Sequence, residues 1–170
     1  MVDWLGVFAV AILMAGIGLI LSRYGVAHTL TLSDHVATGH AQILFRIYGL
    51  AYGLLFSWWL LSWDSLSSLQ LGLLLTGVVS FEVGLFIPRT GNKIVPHDIT
   101  ANIAGSCLFV AIFLIALSHA NESVTRILLA IVVFLSLIGA SLLKRNSTYY
   151  LFRQLLFYTI AHIALFIAYF

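Results

Sequence analysis

The sequence predicts an all-α integral membrane protein, a single bundle of six transmembrane helices. Two observations support this prediction: 62% of the 170 residues are hydrophobic, and only 8% are charged. A typical soluble domain has about 25% charged residues, and a soluble fold of this size could not bury so much apolar surface. The aromatic content of 14% excludes a disordered chain. Continuous apolar stretches, which do not alternate with polar residues, disfavour an outer-membrane barrel.

A helix needs about 20 mainly apolar residues to cross the hydrocarbon core of a bilayer. Six segments of the chain meet this requirement. They cover residues 4–21, 41–61, 69–87, 99–117, 124–143 and 150–170. Both prolines, Pro88 and Pro96, lie in the connection between spans 3 and 4 and interrupt no span. We therefore predict one transmembrane domain over residues 1–170.

The connection between spans 1 and 2, residues 22–40, is the longest. Ser33 is a suitable N-cap, and span 2 is therefore expected to be one long helix that begins near Asp34. The first span lacks the basic start and the cleavage site of a secretory signal. It is therefore expected to be retained as a membrane span.

Lysine and arginine are unequally shared between the two ends of the predicted bundle. Seven of the eight lie near connections 1–2, 3–4 and 5–6, and Arg126 alone lies at the opposite end. By the positive-inside rule, these three connections are cytoplasmic and both termini are outside. The predicted location is a prokaryotic inner membrane or an endomembrane. Because the basic residues form no continuous stripe, no nucleic acid partner is predicted.

Most of the other polar residues collect at the end that carries these three connections. Asp98 and Asn102 share one face of span 4, and Gln154 and His162 share one face of span 6. Polar groups inside a membrane usually face the bundle interior or a cavity. We therefore predict a polar pocket between spans 2, 3, 4 and 6, covered by the first connection. Its predicted substrate-binding residues are Arg46, Glu82, Arg89, Asp98, Asn102, Arg153, Gln154 and His162.

A structural interpretation stays open for several of these features. Small and hydroxyl-bearing residues also let helices approach closely, and basic residues at loop ends also bind anionic headgroups. Arg46 and Glu82 both fall inside the predicted hydrocarbon boundary, and a mutual ion pair is their simplest explanation. The four tryptophans lie near span ends and are expected to be interfacial anchors: Trp4, Trp58, Trp59 and Trp63.

The cations favour binding of an anionic headgroup at this end. Guanidinium groups suit bidentate recognition of phosphate, and Arg46, Arg89 and Arg153 lie near histidines and carboxylates. The N-terminus of span 4 adds the positive end of a helix dipole. The predicted function is therefore to bind or process a lipid or another amphipathic anionic substrate. If a reaction is catalysed, the candidates for acid–base roles are Asp34, His35 and His97.

Two other kinds of site stay open. A nucleophile–base pair would join Ser33 or Ser106 to His97 or His35. A His/carboxylate metal site would include His35, His40 and His97, but the spacing H-x-x-x-H is absent.

No cofactor is predicted. Haem with two histidine ligands is disfavoured, because no second histidine shares the mid-membrane depth of His162. The alternative functions are a small proton-linked transporter or channel, lined by Glu82, His162 and Arg46, and a structural subunit of a membrane complex. The nearly apolar outer halves of spans 1 to 5 argue against a transporter. Membrane lipids are the predicted partners, and a homo-oligomer or a partner membrane subunit stays open.

Two stretches of the chain carry a resemblance. They are LTLSDHVATGHAQILFRIYGLAYGLL, residues 30–55, and GLFIPRTGNKIVPHDITANIAGSCLF, residues 84–109. The features concerned are Ser33 and Asp34 in the first connection, Phe45 in span 2, Gly84, Phe86 and Pro88 at the exit of span 3, and His97 at the start of span 4. The start of the last span, LFRQLLFYT at residues 151–159, belongs to the same pattern.

This pattern resembles the six-span superfamily that contains the damage-regulated autophagy modulators, the GPI-anchor lipid-remodelling proteins and prokaryotic relatives of unknown function. The chain departs from the eukaryotic branch, in which a proline often precedes the Ser-Asp pair, because Thr31 and Leu32 stand there. The resemblance implies a lipid-linked role more than a transport role, and it supplies no catalytic mechanism. It also implies a luminal first connection, opposite to the side that the charge count predicts.

Overall fold

The computed structural model of the protein describes residues 4–26, 32–37, 39–118 and 150–169. Every regular element within these ranges is helical, which confirms the predicted all-α class. Five of the helices are long and apolar enough to cross a membrane. Predicted span 5, residues 124–143, lies outside the described residues, and the count of six spans stays a prediction.

The described helices follow the predicted spans closely. In chain order they are α1 (Leu5–Tyr24), α2 (Leu32–His35), α3 (Gly39–Leu61), α4 (Ser68–Phe86), a short 3₁₀ helix (Gly91–Lys93), α5 (Ile94–Ser118) and α6 (Tyr150–Tyr169). The largest difference is at α5, which begins at Ile94, whereas predicted span 4 begins at residue 99. Helix α5 therefore carries an extra polar turn that includes His97 and Asp98.

The first connection differs from its prediction. Ser33 is not the N-cap of one long helix but lies inside the four-residue helix α2, and α3 begins separately at Gly39. Gly39 has a φ of 68°, a left-handed conformation that glycine adopts at no steric cost. Because the helix is interrupted here, α2 need not continue along the axis of α3. It contacts the first turns of α5 and α6.

Helix α4 is bounded by signals that the sequence contains. At its start, Ser67 and Gln70 form a capping box, in which each side chain accepts a hydrogen bond from the other residue's backbone N–H, at 2.8 and 3.3 Å. At its end, Pro88 disfavours the helical conformation of the preceding residue. Ile87 is accordingly extended, with φ −100° and ψ 98°. The Ile87 carbonyl oxygen therefore lies outside the helix and is available to other donors.

Glycines allow the close approach of neighbouring helices. A Cβ atom at Gly16 of α1 would overlap the Tyr48 side chain of α3, and one at Gly6 would overlap the Trp59 ring. Such small-residue contacts are typical of helices that pack within membranes. Trp59 is 0% exposed and Trp63 is 7% exposed. These two tryptophans belong to the core, which corrects the expectation that they anchor the protein at the interface.

We expect Gly16→Leu to destabilise the protein by about 1–3 kcal/mol, because overpacking forces neighbouring side chains and backbone to shift. The matched control is Gly18→Leu on the same helix, since a Cβ there meets no atom of the described residues within 4 Å. The measurement is thermal unfolding in mild detergent, followed by circular dichroism. Equal unfolding midpoints for the two variants would contradict the packing described here.

Candidate functional site

Polar residues from three helices and one connection meet at one end of the bundle. We call this group the polar cluster; its members are Ser33, Asp34, Arg89, His97, Asp98 and Gln154. Ser33 and Asp34 belong to α2, whereas Arg89 belongs to the connection between α4 and α5. The cluster therefore ties α2 to the rest of the fold.

Arg89 forms the charged half of the cluster. Its Nε and Nη2 donate to the two carboxylate oxygens of Asp98 at 2.7 and 3.0 Å, and its Nη1 donates to Asp34 Oδ1 at 2.6 Å. The Arg89 residue is 7% exposed, whereas the Asp34 and Asp98 side chains are 20% and 41% exposed, so water screens these contacts in part. The hydrogen bonds that Arg89 donates to Asp98, and then the one that it donates to Asp34, raise the pKa of the Arg89 guanidinium above its usual value. Arg89 is thus a permanently charged bridge between α2 and α5.

Ser33 and His97 form the other half of the cluster. The His97 Nδ1 atom lies 2.7 Å from the Ile87 carbonyl oxygen, and its Nε2 atom lies 2.9 Å from Ser33 Oγ. A carbonyl oxygen only accepts, and Nδ1 of the neutral imidazole therefore carries the proton. Nε2 is then an acceptor, and the Ser33 hydroxyl donates to it. This is the arrangement of a nucleophile and a general base that a third group orients.

Gln154 of α6 completes the cluster. Its Oε1 accepts a hydrogen bond from the Leu32 backbone N–H at 2.9 Å. This contact holds the side-chain amide of Gln154 next to the residue that precedes Ser33. Within the described part of the chain, its Nε2 group has no hydrogen-bond partner. Both N–H donors of this amide are therefore without a partner among the described residues.

A tyrosine–histidine pair lies deeper in the bundle. His162 of α6 is 3% exposed, and its Nδ1 donates to the Tyr158 carbonyl oxygen at 2.7 Å. The Tyr52 hydroxyl of α3 lies 2.8 Å from His162 Nε2 and donates to it. Because each polar atom of this contact has its partner, the pair is compatible with an otherwise apolar core.

A cavity connects the polar cluster to this deeper pair. Its volume is about 90 Å³, several times the roughly 10–15 Å³ that one water molecule requires. Along α5 it extends from His97 to Leu108, roughly 16 Å at 1.5 Å per residue. Of its described lining residues, none is Lys, Arg, Asp or Glu, and most are apolar. The polar lining groups are Ser33, Tyr52, Ser80, His97, Gln154, Tyr158 and His162.

Arg46 and Glu82 do not form the expected ion pair. Arg46 Nε instead donates to the Leu85 carbonyl oxygen at 3.0 Å, and its guanidinium lies over the Phe86 ring. The end of α4 leaves such carbonyl groups without helical partners, which explains their attraction for a cation. The Glu82 carboxyl group lies against Gly53 of α3. Neither residue is among the described lining of the cavity.

The remaining predicted residues are not members of the polar cluster. Asn102 and Arg153 are exposed and are not among the described lining residues. His35 is half-buried on α2, and His40 is exposed at the start of α3. Within the described ranges, no three His, Cys, Asp or Glu side chains come together as a metal site, His35, His40 and His97 included. Substrate binding by Asn102 and Arg153 stays a prediction.

Tyr52, which closes the deep end of the cavity, is not among the residues that the sequence predicts for the site. Phe45, Tyr52 and Phe56 are spaced by seven and four residues, and they all line the cavity. This aromatic face of span 2 was the available signal. The predicted site residue of this span, Arg46, lies instead on its more polar face.

Comparisons with protein-family models, curated proteins and solved structures find no match to this chain. The resemblance drawn from the sequence therefore stays a prediction. The two stretches that carry it do meet in space, since Ser33 and Asp34 of the first contact His97 and Arg89 of the second.

We expect Arg89→Gln to destabilise the protein by about 3 kcal/mol. This is the lower end of the cost of breaking a buried ion pair, because the Asp98 side chain is 41% exposed and water compensates part of the loss. Lys93→Gln is the control, since it removes a positive charge from an exposed residue nearby, and its expected effect is below about 0.5 kcal/mol. Thermal unfolding in detergent measures both. Unchanged stability of the Arg89 variant would contradict the bridging role.

Proposed function

We propose that the protein is an integral membrane protein that binds an amphipathic lipid within its helix bundle. The observation that carries this proposal is the cavity, which has apolar walls and ends at the polar cluster. An apolar chain would lie between the helices, and the polar part of the lipid would lie beside Ser33, His97 and Gln154. Ligand sites of this kind are mostly apolar, with a few polar groups that fix orientation.

Membrane insertion is supported by the outer surface of the helices. Large apolar side chains are widely exposed, among them Phe8 at 59%, Leu54 at 70% and Leu69 at 63%. Exposed apolar surface on this scale is unusual in a soluble monomer, whereas it suits contact with lipid chains. The proposed topology follows the positive-inside rule and places the polar cluster on the cytoplasmic side.

The contacts of the cations favour a lipid with an uncharged polar group. Arg89 is fully engaged by Asp34 and Asp98, and Arg46 is engaged by the end of α4. Among the described lining residues, the groups that face the cavity are hydroxyls, imidazoles and an amide. These groups recognise esters, alcohols and amides through neutral hydrogen bonds. An anionic headgroup is the alternative that the sequence favoured, and identifying the bound lipid decides between the two.

The test is native mass spectrometry of the full chain purified in mild detergent. We expect a lipid to remain bound to the wild-type protein. The Gly105→Leu variant is expected to retain at least tenfold less, because Gly105 lines the cavity and a Cβ there meets no described atom within 4 Å. The added side chain thus fills the cavity without a clash.

Gly18→Leu is again the matched control, since Gly18 is not among the described lining residues and a Cβ there meets no described atom within 4 Å. It is expected to carry the same lipid as the wild type. A wild-type protein that retains no lipid, or a Gly105 variant with undiminished lipid occupancy, would contradict the proposed function.

A further inference from the structure

We propose that Ser33 and His97 form a catalytic pair that hydrolyses an ester of a long-chain acyl group held in the cavity. This inference rests on the proposed lipid binding and adds a reaction and a substrate class to it. It is carried by the Ser33–His97–Ile87 chain of hydrogen bonds and by the position of both side chains on the cavity lining.

The geometry satisfies the requirements of a nucleophile and its base. The Oγ–Nε2 distance of 2.9 Å lies within hydrogen-bond reach, about 2.6–3.2 Å. The Ile87 carbonyl fixes the histidine tautomer in which Nε2 accepts a proton. Both side chains are half-buried, so a bound molecule can reach them. Many serines serve only structural roles. Ser33 differs because its hydroxyl is hydrogen-bonded to the basic Nε2 of His97 and because it lines the cavity.

The reaction is an acyl transfer followed by hydrolysis. Ser33 Oγ attacks the ester carbonyl carbon while its proton passes to His97 Nε2. The bond between the carbonyl carbon and the alcohol oxygen then breaks, and the alcohol leaves with the proton from His97. Water, activated by His97, attacks the acyl-serine; the carboxylic acid is released and the Ser33 hydroxyl is restored.

Gln154 is positioned to assist this reaction. Its Nε2 group has no hydrogen-bond partner among the described residues, and its amide is anchored to the backbone next to Ser33. A donor that hydrogen-bonds the developing oxyanion is a large contributor to acyl transfer, with losses of about 10²–10³ in rate when it is removed. We therefore propose that Gln154 stabilises the negative charge that develops on the carbonyl oxygen of the ester.

The cavity determines the substrate class. Its described walls beyond His97 are largely apolar and extend to the Tyr52–His162 pair, whose polar atoms satisfy each other. A straight acyl chain suits this space, whereas a charged headgroup would meet no opposite charge among the described lining residues. The alcohol part of the ester would then lie at the end of the cavity formed by the polar cluster.

The test uses alkyl fluorophosphonates. Ser33 would attack the phosphorus atom of such a probe as it would attack the carbonyl carbon of an ester. The Oγ–phosphorus bond forms, the phosphorus–fluorine bond breaks, and fluoride leaves while His97 takes the serine proton. The full chain in mild detergent is treated with a decyl and an ethyl fluorophosphonate, and the modified residue is located by peptide mass spectrometry. Hydrolysis of p-nitrophenyl decanoate is followed in parallel.

We expect a single adduct, on Ser33, that forms at least tenfold faster with the decyl probe. Ser33→Ala should abolish both the adduct and the ester hydrolysis, and His97→Gln should slow both about 10²–10⁴-fold. Ser106→Ala is the control, because Ser106 is an exposed serine of α5 outside the described lining. It should react as the wild type does.

The possible failures separate the two proposals. An unmodified wild-type protein, an adduct on another residue, or undiminished ester hydrolysis by Ser33→Ala would overturn the catalytic pair, whereas lipid found by native mass spectrometry would still support the binding function. An adduct on Ser33 that forms equally fast with both probes would support the nucleophile. It would, however, contradict an acyl chain in the cavity. Thermal unfolding of each variant verifies that lost reactivity is not lost folding.

Discussion

The bridge that Arg89 makes between Asp34 and Asp98 is the constraint on which the polar cluster depends. Asp34 follows Ser33 in the chain, and Asp98 follows His97, so one guanidinium holds both neighbours of the proposed catalytic pair. Helix α2 has only four residues and could not be stable alone. Its position is set by Arg89, by the Ser33–His97 contact and by the Leu32–Gln154 hydrogen bond. The ion pairs of Arg89 hold α2 in place, and Ser33, His97 and Gln154 line the cavity.

The same hydrogen-bond pattern occurs twice, at two depths. In His97 and in His162, Nδ1 donates to a backbone carbonyl and Nε2 accepts from a hydroxyl. The hydroxyl differs: His162 has the phenol of Tyr52 in the buried core, whereas His97 has the aliphatic hydroxyl of Ser33 near the end of the bundle. The Ser33–His97 site is half-buried, whereas Tyr52 and His162 are buried. The deeper pair closes the cavity without leaving a polar atom of the contact unsatisfied.

Part of the site follows from the sequence, because hydropathy indicates which residues cost free energy when they are placed in a membrane. Such residues collect near three of the connections, and the polar cluster lies at that end. The choice among candidates needed the fold. Ser33 and Ser106 were equal candidates for a nucleophile, and His35 and His97 for a base. The chosen partners are 64 residues apart, and no local pattern reports a contact at that separation.

What the sequence by itself determined is the helical class, the approximate positions of the five described long helices and the concentration of polar residues at one end. These properties depend on local hydropathy and on signals such as the Ser67 capping box and Pro88. The tertiary structure decided which polar groups satisfy one another. Arg46 binds the carbonyl groups at the end of α4 instead of Glu82, and Arg89 binds two carboxylates instead of facing the cavity. A charge goes to the partner that packing brings within reach, and packing is a property of the whole chain.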